Sequence, residues 1–170
     1  MDTEDCWLHP DVVVAGSVID GRGLFARADL PAGTVVARLR GAELTDEQLR
    51  HLFASAPSYV DTIALDADRN LVLAPGQDLH YGNHSCDPTL WHGDALTLVT
   101  RRAVAAGEEL TVDYATQTDH PDFAMQCGCG SARCRGTVTG DDLPTRQIGT
   151  GQRDHQRHVW RQGYPGLWRQ

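Results

Sequence analysis

Cysteines give the clearest chemical signal in this sequence. Three of the five lie in Cys127-x-Cys129-x4-Cys134, where intervening glycines allow the backbone to fold around one ion. Structural zinc takes four tetrahedral ligands, often thiolates, so a fourth must come from elsewhere: Cys86 is the stronger candidate and Cys6 the weaker. The pattern predicts one structural zinc ion. The alternative is a glycine-rich loop whose thiols bind nothing; an odd, unevenly spaced set does not indicate a disulfide framework.

Three further segments carry groups suited to binding or catalysis. Gly21-Arg22-Gly23-Leu24-Phe25 is a glycine turn where a ligand can lie against the backbone, without the third glycine and helix of a dinucleotide site. Asn83-His84-Ser85-Cys86-Asp87-Pro88 places short polar side chains next to a possible metal ligand. Glu109-Leu110-Thr111-Val112-Asp113-Tyr114 ends on a tyrosine. Taken singly, each has a purely structural interpretation: a turn, a buried histidine, and a core or surface aromatic.

The elements that must position these segments are short strands joined by turns. Apolar and β-branched runs predict strands over 12–19, 24–26, 34–39, 61–65, 71–73, 95–100 and 109–114. The capping box Thr45-Asp46-Glu47-Gln48 predicts one short helix to about Ala54, and residues 152–162 form a second helix candidate with poor apolar periodicity. The sequence thus predicts a mainly β domain.

Size and charge restrict the class of protein. The chain has 170 residues, 41% hydrophobic, which suits one compact domain. Residues 1–143 carry ten arginines against 22 acidic residues, a net charge of −12, whereas residues 144–170 carry +4, and there is no lysine. This balance argues against a nucleic-acid-coating protein and suits a basic peptide as partner. With no apolar run near the acidic N-terminus, we expect a cytoplasmic protein, or a nuclear one if the source is eukaryotic, neither secreted nor membrane-bound.

The four segments, in this order, resemble the SET-domain protein lysine methyltransferases over about residues 13–142. The cysteine module continues as Cys134-Arg135-Gly136, which resembles the family's post-SET motif, and no pre-SET cluster precedes the glycine turn. The resemblance implies small curled β-sheets with a pseudoknot between the Asn83–Cys86 and Tyr114 stretches. It implies a SET domain over 1–126 and a post-SET zinc module over 127–140. Residues 141–170 remain as a tail, for which the sequence itself predicts a short helix.

The resemblance also implies an activity and a set of site residues. The activity is transfer of methyl from S-adenosylmethionine to a lysine side chain of a protein or peptide, with Tyr114 as the catalytic residue. The expected cofactor residues are Gly21, Arg22, Gly23, Leu24, Asn83, His84, Phe123 and Met125. The expected substrate channel is lined by Tyr81, Tyr59 and Val112, and zinc is expected on Cys86, Cys127, Cys129 and Cys134.

Several positions differ from the family pattern. His80-Tyr81-Gly82 replaces the usual Arg-Phe before Asn-His, Thr89 replaces an asparagine, and Val112 replaces an aromatic that limits the number of methyl groups. These differences keep two other functions open. One is a SET module that binds a partner or cofactor without turnover. The other is a zinc-stapled interaction domain whose arginine-bearing tail contacts nucleic acid or protein.

Overall fold

Short antiparallel strands dominate the fold. The computed structural model describes residues 5–55, 60–66, 68–117, 123–140 and 142. The described strands are β1 (Trp7–Leu8), β2 (Val12–Gly16), β3 (Arg22–Ala26), β4 (Val35–Arg38), β5 (Gly41–Leu44), β6 (Thr62–Asp66), β7 (Arg69–Leu73), β8 (Leu90–Asp94), β9 (Thr97–Thr100), β10 (Glu109–Leu110), β11 (Ala124–Gln126) and β12 (Thr137–Thr139). Helix α1 spans Asp46–Ser55, and single 3-10 turns span Asp78–Tyr81 and Tyr114–Thr116. The prediction of a mainly β protein is confirmed.

The strands form four small sheets rather than one large one. Their orders are β1-β4-β9-β8, β10-β3-β2, β5-β7-β6 and β11-β12, with every pair antiparallel. In the second sheet β3 is central and pairs Leu24 with both Val14 and Leu110. The glycine turn is thereby held beside the strand that leads toward Tyr114.

One continuous core joins the three larger sheets. Its buried members include Leu24, Val36, Leu71, Leu90, Leu98, Leu110 and Val112. Burying each such side chain contributes roughly 1.5–3 kcal/mol. A second cluster of Ala115, Phe123 and Val138 lies beneath the β11-β12 hairpin and contacts Tyr114. Packing therefore connects the cysteine-bearing end of the chain with the tyrosine.

Helix α1 begins as its sequence predicts. The Gln48 backbone N–H donates to Oγ1 of Thr45 (3.2 Å), and the Thr45 N–H donates to Oε1 of Gln48 (2.9 Å). This is the reciprocal pattern of a capping box. The helix buries Leu49 against Ala64. Among the described helices, none has the length and apolar content to cross a bilayer.

A parallel contact outside the sheets joins two distant stretches of chain. His84 and Val112 form a parallel bridge, in which the Val112 N–H donates to the Asn83 carbonyl (3.0 Å) and the Ser85 N–H donates to the Val112 carbonyl (2.9 Å). The Asn-His and Tyr114 segments are therefore neighbours through their main chains.

Two predicted strands are shorter than expected. The strand predicted over 12–19 ends at Gly16, because the Ser17 N–H donates to the Gly21 carbonyl and closes a turn in which Gly21 has φ +43°. The strand predicted over 109–114 ends at Leu110, since the Asp113 carboxylate accepts the Ala115 N–H and starts a 3-10 turn. The predicted helix over 152–162 lies outside the described residues.

Candidate functional site

Tyr114 lies in a mostly buried position at the start of its 3-10 turn. Its hydroxyl donates to the Gly82 carbonyl at 2.9 Å, and its backbone N–H donates to Nδ1 of His84 at 3.1 Å. Burial, together with the negative charges of Asp61 and Asp20, raises the pKa of Tyr114 to about 12. The phenol is thus protonated at neutral pH, and hydrogen bonds hold both the hydroxyl and the backbone of Tyr114.

His84 is buried between the tyrosine and the cysteines. Nδ1 accepts the Tyr114 N–H, so the ring proton lies on Nε2, which donates to Sγ of Cys86 at 3.3 Å. Burial lowers the pKa of His84, with a smaller opposing effect from Asp113, and this favours the neutral ring. Both ring nitrogens are therefore engaged inside the protein.

Asn83 holds the glycine turn in place. Its side-chain amide donates to the carbonyls of Asp20 (3.1 Å) and Arg22 (2.9 Å) and to Oε1 of Glu109 (2.9 Å). The Glu109 carboxylate also accepts the Ser17 hydroxyl at 2.8 Å. Gly23 is required at this point, because a Cβ there would overlap the Glu109 carboxylate. The turn is thus a rigid stretch of backbone with no side chain on its inner surface at Gly23.

Five other expected residues belong to the glycine turn or to the expected substrate channel: Arg22, Leu24, Tyr81, Val112 and Tyr59. Arg22 is exposed and stacks over the Tyr81 ring, 4.2 Å from its centroid, while its Nη1 donates to the Tyr81 hydroxyl at 3.0 Å. The side chains of Leu24 and Val112 lie in the main core, below the site rather than on its surface. Tyr59 lies outside the described residues.

Phe123 and Met125 lie at the base of the cysteine hairpin. Phe123 is buried and Met125 half-buried, and both pack in the cluster that includes Tyr114 and Cys86. Met125 pairs with Val138 across β11 and β12. The hairpin therefore places both apolar side chains next to the tyrosine turn.

The structure brings four cysteines together. The sulfurs of Cys86, Cys127, Cys129 and Cys134 all lie within 4.8 Å of one another, and Cys86 and Cys127 are 3.7 Å apart. Tetrahedral zinc with bonds of about 2.3 Å requires sulfur separations of about 3.8 Å, so the four thiols fit this ion. Cys6 is elsewhere, where its Sγ accepts the Arg40 N–H.

Ionisation of the cluster also fits a cation. Burial and the neighbouring thiols raise the pKa of Cys127 to about 12. Burial also disfavours the Cys129 thiolate, but hydrogen bonds from backbone groups outweigh it and lower the Cys129 pKa to about 6. One thiol resists ionisation while its neighbour ionises readily, since adjacent thiolates repel each other. A bound divalent cation removes that conflict.

Two pairs of charged residues beside the site were not singled out by the sequence. Arg135 Nη2 contacts Oδ1 of the buried Asp113 at 2.6 Å. His80, where the family pattern has arginine, pairs with Asp61 through Nδ1 and lies 2.8 Å from the Ala74 carbonyl through Nε2. Asp113 directly precedes Tyr114, and Arg135 directly follows Cys134. This adjacency in sequence is the signal that could have identified the pair.

Comparison with known proteins agrees with this geometry. Residues 21–115 match the family model described as SET domain. The histone-lysine N-methyltransferase trithorax of Drosophila virilis is 34% identical over 139 residues, covering 73% of this chain and 4% of that protein. The human histone-lysine N-methyltransferase SETD2 is 30% identical over 164 residues, covering 88% and 6%. This chain therefore spans a small fraction of these relatives.

A solved structure shares the fold. The crystal structure of the methyltransferase domain of human histone-lysine N-methyltransferase SETMAR aligns with a TM-score of 0.58 at 23% identity, covering 76% of this chain and 58% of that one. The family model spans more than half of the chain and includes the glycine turn, the Asn-His pair and Tyr114. The chain therefore belongs to the SET domain family.

Proposed function

We propose that this protein is a methyltransferase that moves a methyl group from S-adenosylmethionine to the side-chain amine of a protein lysine. The observation that carries the proposal is the fixed position of Tyr114, whose hydroxyl bonds Gly82 and whose N–H bonds His84. The names of its relatives, histone-lysine N-methyltransferases, support a lysine-bearing and basic substrate. The net charge of −12 over residues 1–143 supports the same substrate class.

The proposed cofactor site lies along the glycine turn. The backbone at Gly21 has open space beside it for a ligand, whereas the Glu109 carboxylate fills the space beside Gly23, which would contribute main-chain atoms only. Asn83 keeps this backbone in place. Because both His84 ring nitrogens are engaged, we assign its contact with the cofactor to its main chain. Arg22 adds an exposed rim and Leu24 supports the turn from the core, while Phe123 and Met125 cover the adenine from the cysteine hairpin.

The chemistry requires an uncharged amine. S-adenosylmethionine, when bound, supplies a sulfonium methyl group that an uncharged amine takes up in line as the carbon–sulfur bond breaks. A free lysine has a pKa of about 10.4, so near pH 7 roughly one in 2,500 is neutral, a cost of about 4.6 kcal/mol. The proposed channel has Tyr81 in its wall, with Val112 supporting it from the core and Tyr59 added from the sequence alone, and it would lower this cost by desolvating the ammonium.

Tyr114 positions the amine rather than removing its proton. With a pKa of about 12, only about one phenol in 10⁵ is ionised at pH 7, so the phenolate that could accept the lysine proton is rarely present. Its hydroxyl is instead a fixed polar group beside the reacting nitrogen, and the lysine proton leaves to water. Positioning of this kind supplies several kcal/mol.

The four cysteines form the proposed structural zinc site. We assign Cys86, Cys127, Cys129 and Cys134 as its ligands and residues 127–140 as its module, with residues 1–126 as the SET domain and 141–170 as a tail. The zinc would fasten the β11-β12 hairpin to the Asn-His segment through Cys86.

The proposed function is tested with labelled cofactor and a basic lysine peptide or histones. We expect labelled substrate with the wild-type chain, and about 100-fold lower kcat with Tyr114→Phe, since that variant loses only a hydroxyl near the reacting centre. Cofactor affinity, measured by calorimetry, should change little. The same peptide with lysine replaced by arginine is the matched control. The chain has no lysine of its own, so its side chains add no lysine background.

Two results would contradict the proposal. Cofactor binding without any labelled product would indicate a SET module without turnover. Failure to bind the cofactor at all would favour a zinc-stapled interaction domain.

A further inference from the structure

We propose that Arg135 is a positioning residue that links the cysteine cluster to the Tyr114 turn. The proposal rests on the proposed function and deepens it: the guanidinium would transmit order from the metal site to the tyrosine. Among the described residues, the hydrogen bonds of the Arg135 side chain lead to Cys86, Asp113 and Asp142.

Arg135 reaches both ends of this link at once. Its Nε donates to Sγ of Cys86 at 3.3 Å, and its backbone N–H donates to the same sulfur at 3.4 Å. Its Nη2 donates to Oδ1 of Asp113 at 2.6 Å, and its Nη1 donates to the Asp142 carbonyl at 3.2 Å. One planar side chain thus joins a cysteine of the Asn-His segment to the residue before Tyr114.

Asp113 links its contact with Arg135 to the conformation of the 3-10 turn that follows it. Its side chain is 3% exposed and accepts the Ala115 N–H at 3.1 Å, which caps the 3-10 turn Tyr114–Thr116. Oδ1 also lies 3.6 Å from Nδ1 of His84. Removing the guanidinium would leave a buried carboxylate without its charged partner, and this is costly enough to make the carboxylate reorient.

The side-chain type matters as much as its charge. The guanidinium presents donors in a fixed fork, whereas a lysine ammonium is a single point of charge at the end of a flexible stem. A lysine can therefore satisfy Asp113 but cannot also reach Cys86 and the Asp142 carbonyl. Arg133 is a natural control, because its side chain is 74% exposed and its Asp87 contact is 3.9 Å long.

The experiment compares Arg135→Gln, Arg135→Lys, Asp113→Asn, the double variant Arg135→Gln/Asp113→Asn and Arg133→Gln. Zinc loss to a chelator reports the cysteine end, and hydrogen exchange of residues 110–117 reports the turn. Kinetics with labelled S-adenosylmethionine and a lysine peptide separate kcat from KM. Thermal unfolding identifies any variant that does not fold; if Arg135→Gln does not fold, Arg135→Met, which keeps the stem but has no side-chain donor, replaces it.

We expect Arg135→Gln to lose zinc about 10- to 100-fold faster, the usual effect of removing a group that supports a metal ligand. Exchange at the turn should rise at least about tenfold, and kcat should fall about 100-fold with little change in KM. Arg135→Lys should recover the turn but not zinc retention. The kcat of the double variant should be no lower than that of Arg135→Gln, because both substitutions break the same Arg135–Asp113 contact.

The proposal is overturned by three results. The first is Arg135→Gln with the hydrogen-exchange rate and zinc retention of the wild type. The second is a double variant whose kcat falls by the product of the two single losses. The third is Arg133→Gln with the same losses of zinc, turn protection and kcat as Arg135→Gln. If the wild-type chain transfers no methyl group, the proposed function fails, while the exchange and chelator measurements still decide whether the link exists.

Discussion

Two histidines, the buried His84 and the half-buried His92, have buried ring nitrogens but very different hydrogen bonding. Each nitrogen of the His84 ring has a defined partner, in the Tyr114 N–H and the Cys86 sulfur. The ring nitrogens of His92, on β8, are also buried, but neither has a hydrogen-bond partner of normal geometry among the described residues. Burial lowers the pKa of His92 to about 4, against a smaller opposing effect from Asp94. The buried ring nitrogens of His92 therefore make the folded protein less stable in acid.

Replacing His92 by leucine should flatten the pH dependence of folding. The unfolded chain protonates His92 near pH 6.5 and the folded chain only near pH 4, so the wild type loses stability as pH falls between these values. The shift corresponds to about 3 kcal/mol. Urea unfolding at pH 7 and pH 4 should show a loss smaller by about this amount in His92→Leu. The exposed His51→Leu is the control, and an unchanged slope in His92→Leu contradicts the prediction.

At the level of elements, the β11-β12 hairpin is the part that the proposed zinc would stabilise. The hairpin has only three residues in each strand, and an isolated two-stranded hairpin is marginally stable in water. Its support comes from the buried cluster around Phe123 and from the four neighbouring sulfurs. Zinc bound to thiolates contributes on the order of 10 kcal/mol, far more than so short a ladder.

Cys86→Ser should abolish zinc binding and loosen residues 123–136. Metal analysis should show one zinc per chain in the wild type and none in the variant, with faster hydrogen exchange across the hairpin. Cys6→Ser is the matched control and should keep its zinc, since Cys6 lies apart from the other four sulfurs. Full metal in Cys86→Ser with loss in Cys6→Ser would show that the wrong ligand was assigned.

At the level of the whole molecule, charge is divided along the chain. Residues 1–143 carry −12 and residues 144–170 carry +4. A negative surface attracts a basic peptide over distances of about one Debye length, which salt shortens. Substrate capture should therefore depend on ionic strength more than turnover does.

For a basic lysine peptide, KM should rise with salt while kcat stays nearly constant. Between about 0.01 M and 1 M salt the Debye length falls from about 30 Å to about 3 Å, so we expect KM to rise at least about tenfold. Steady-state kinetics measure both quantities. A peptide with acidic residues around its lysine is the control and should show the opposite trend; identical salt dependence for both peptides rules out steering.

Sequence reasoning worked where a signal was local. The capping box at Thr45 and Gln48 needs only four residues, and the structure contains both of its hydrogen bonds. Cys86 was the stronger candidate for the fourth ligand from the sequence, the family resemblance supported it, and the structure brings the four sulfurs together. Strand β8 was missed, because its sequence Leu-Trp-His-Gly-Asp lacks a clear period and contains glycine.

Spacing and composition alone do not encode the non-local contacts. The proximity of Val112 to Asn83 and Ser85 was expected only from the family resemblance, and the bond from Arg135 to Asp113 was not expected at all. The lengths of β2 and β10 likewise depend on side chains of Ser17 and Asp113 that divert the backbone into turns.

The parallel contact between His84 and Val112 and the cluster of Cys86 with Cys134 both join early residues to later ones. During synthesis these contacts can form only after the later residues have left the ribosome. A ribosome delivers the glycine turn first and the last cysteine more than a hundred residues later. Until then the nascent chain has the glycine turn but at most three of the four clustered cysteines. Translation that stops just before Cys134 would yield a product in which the proposed zinc site beside the Tyr114 turn cannot form.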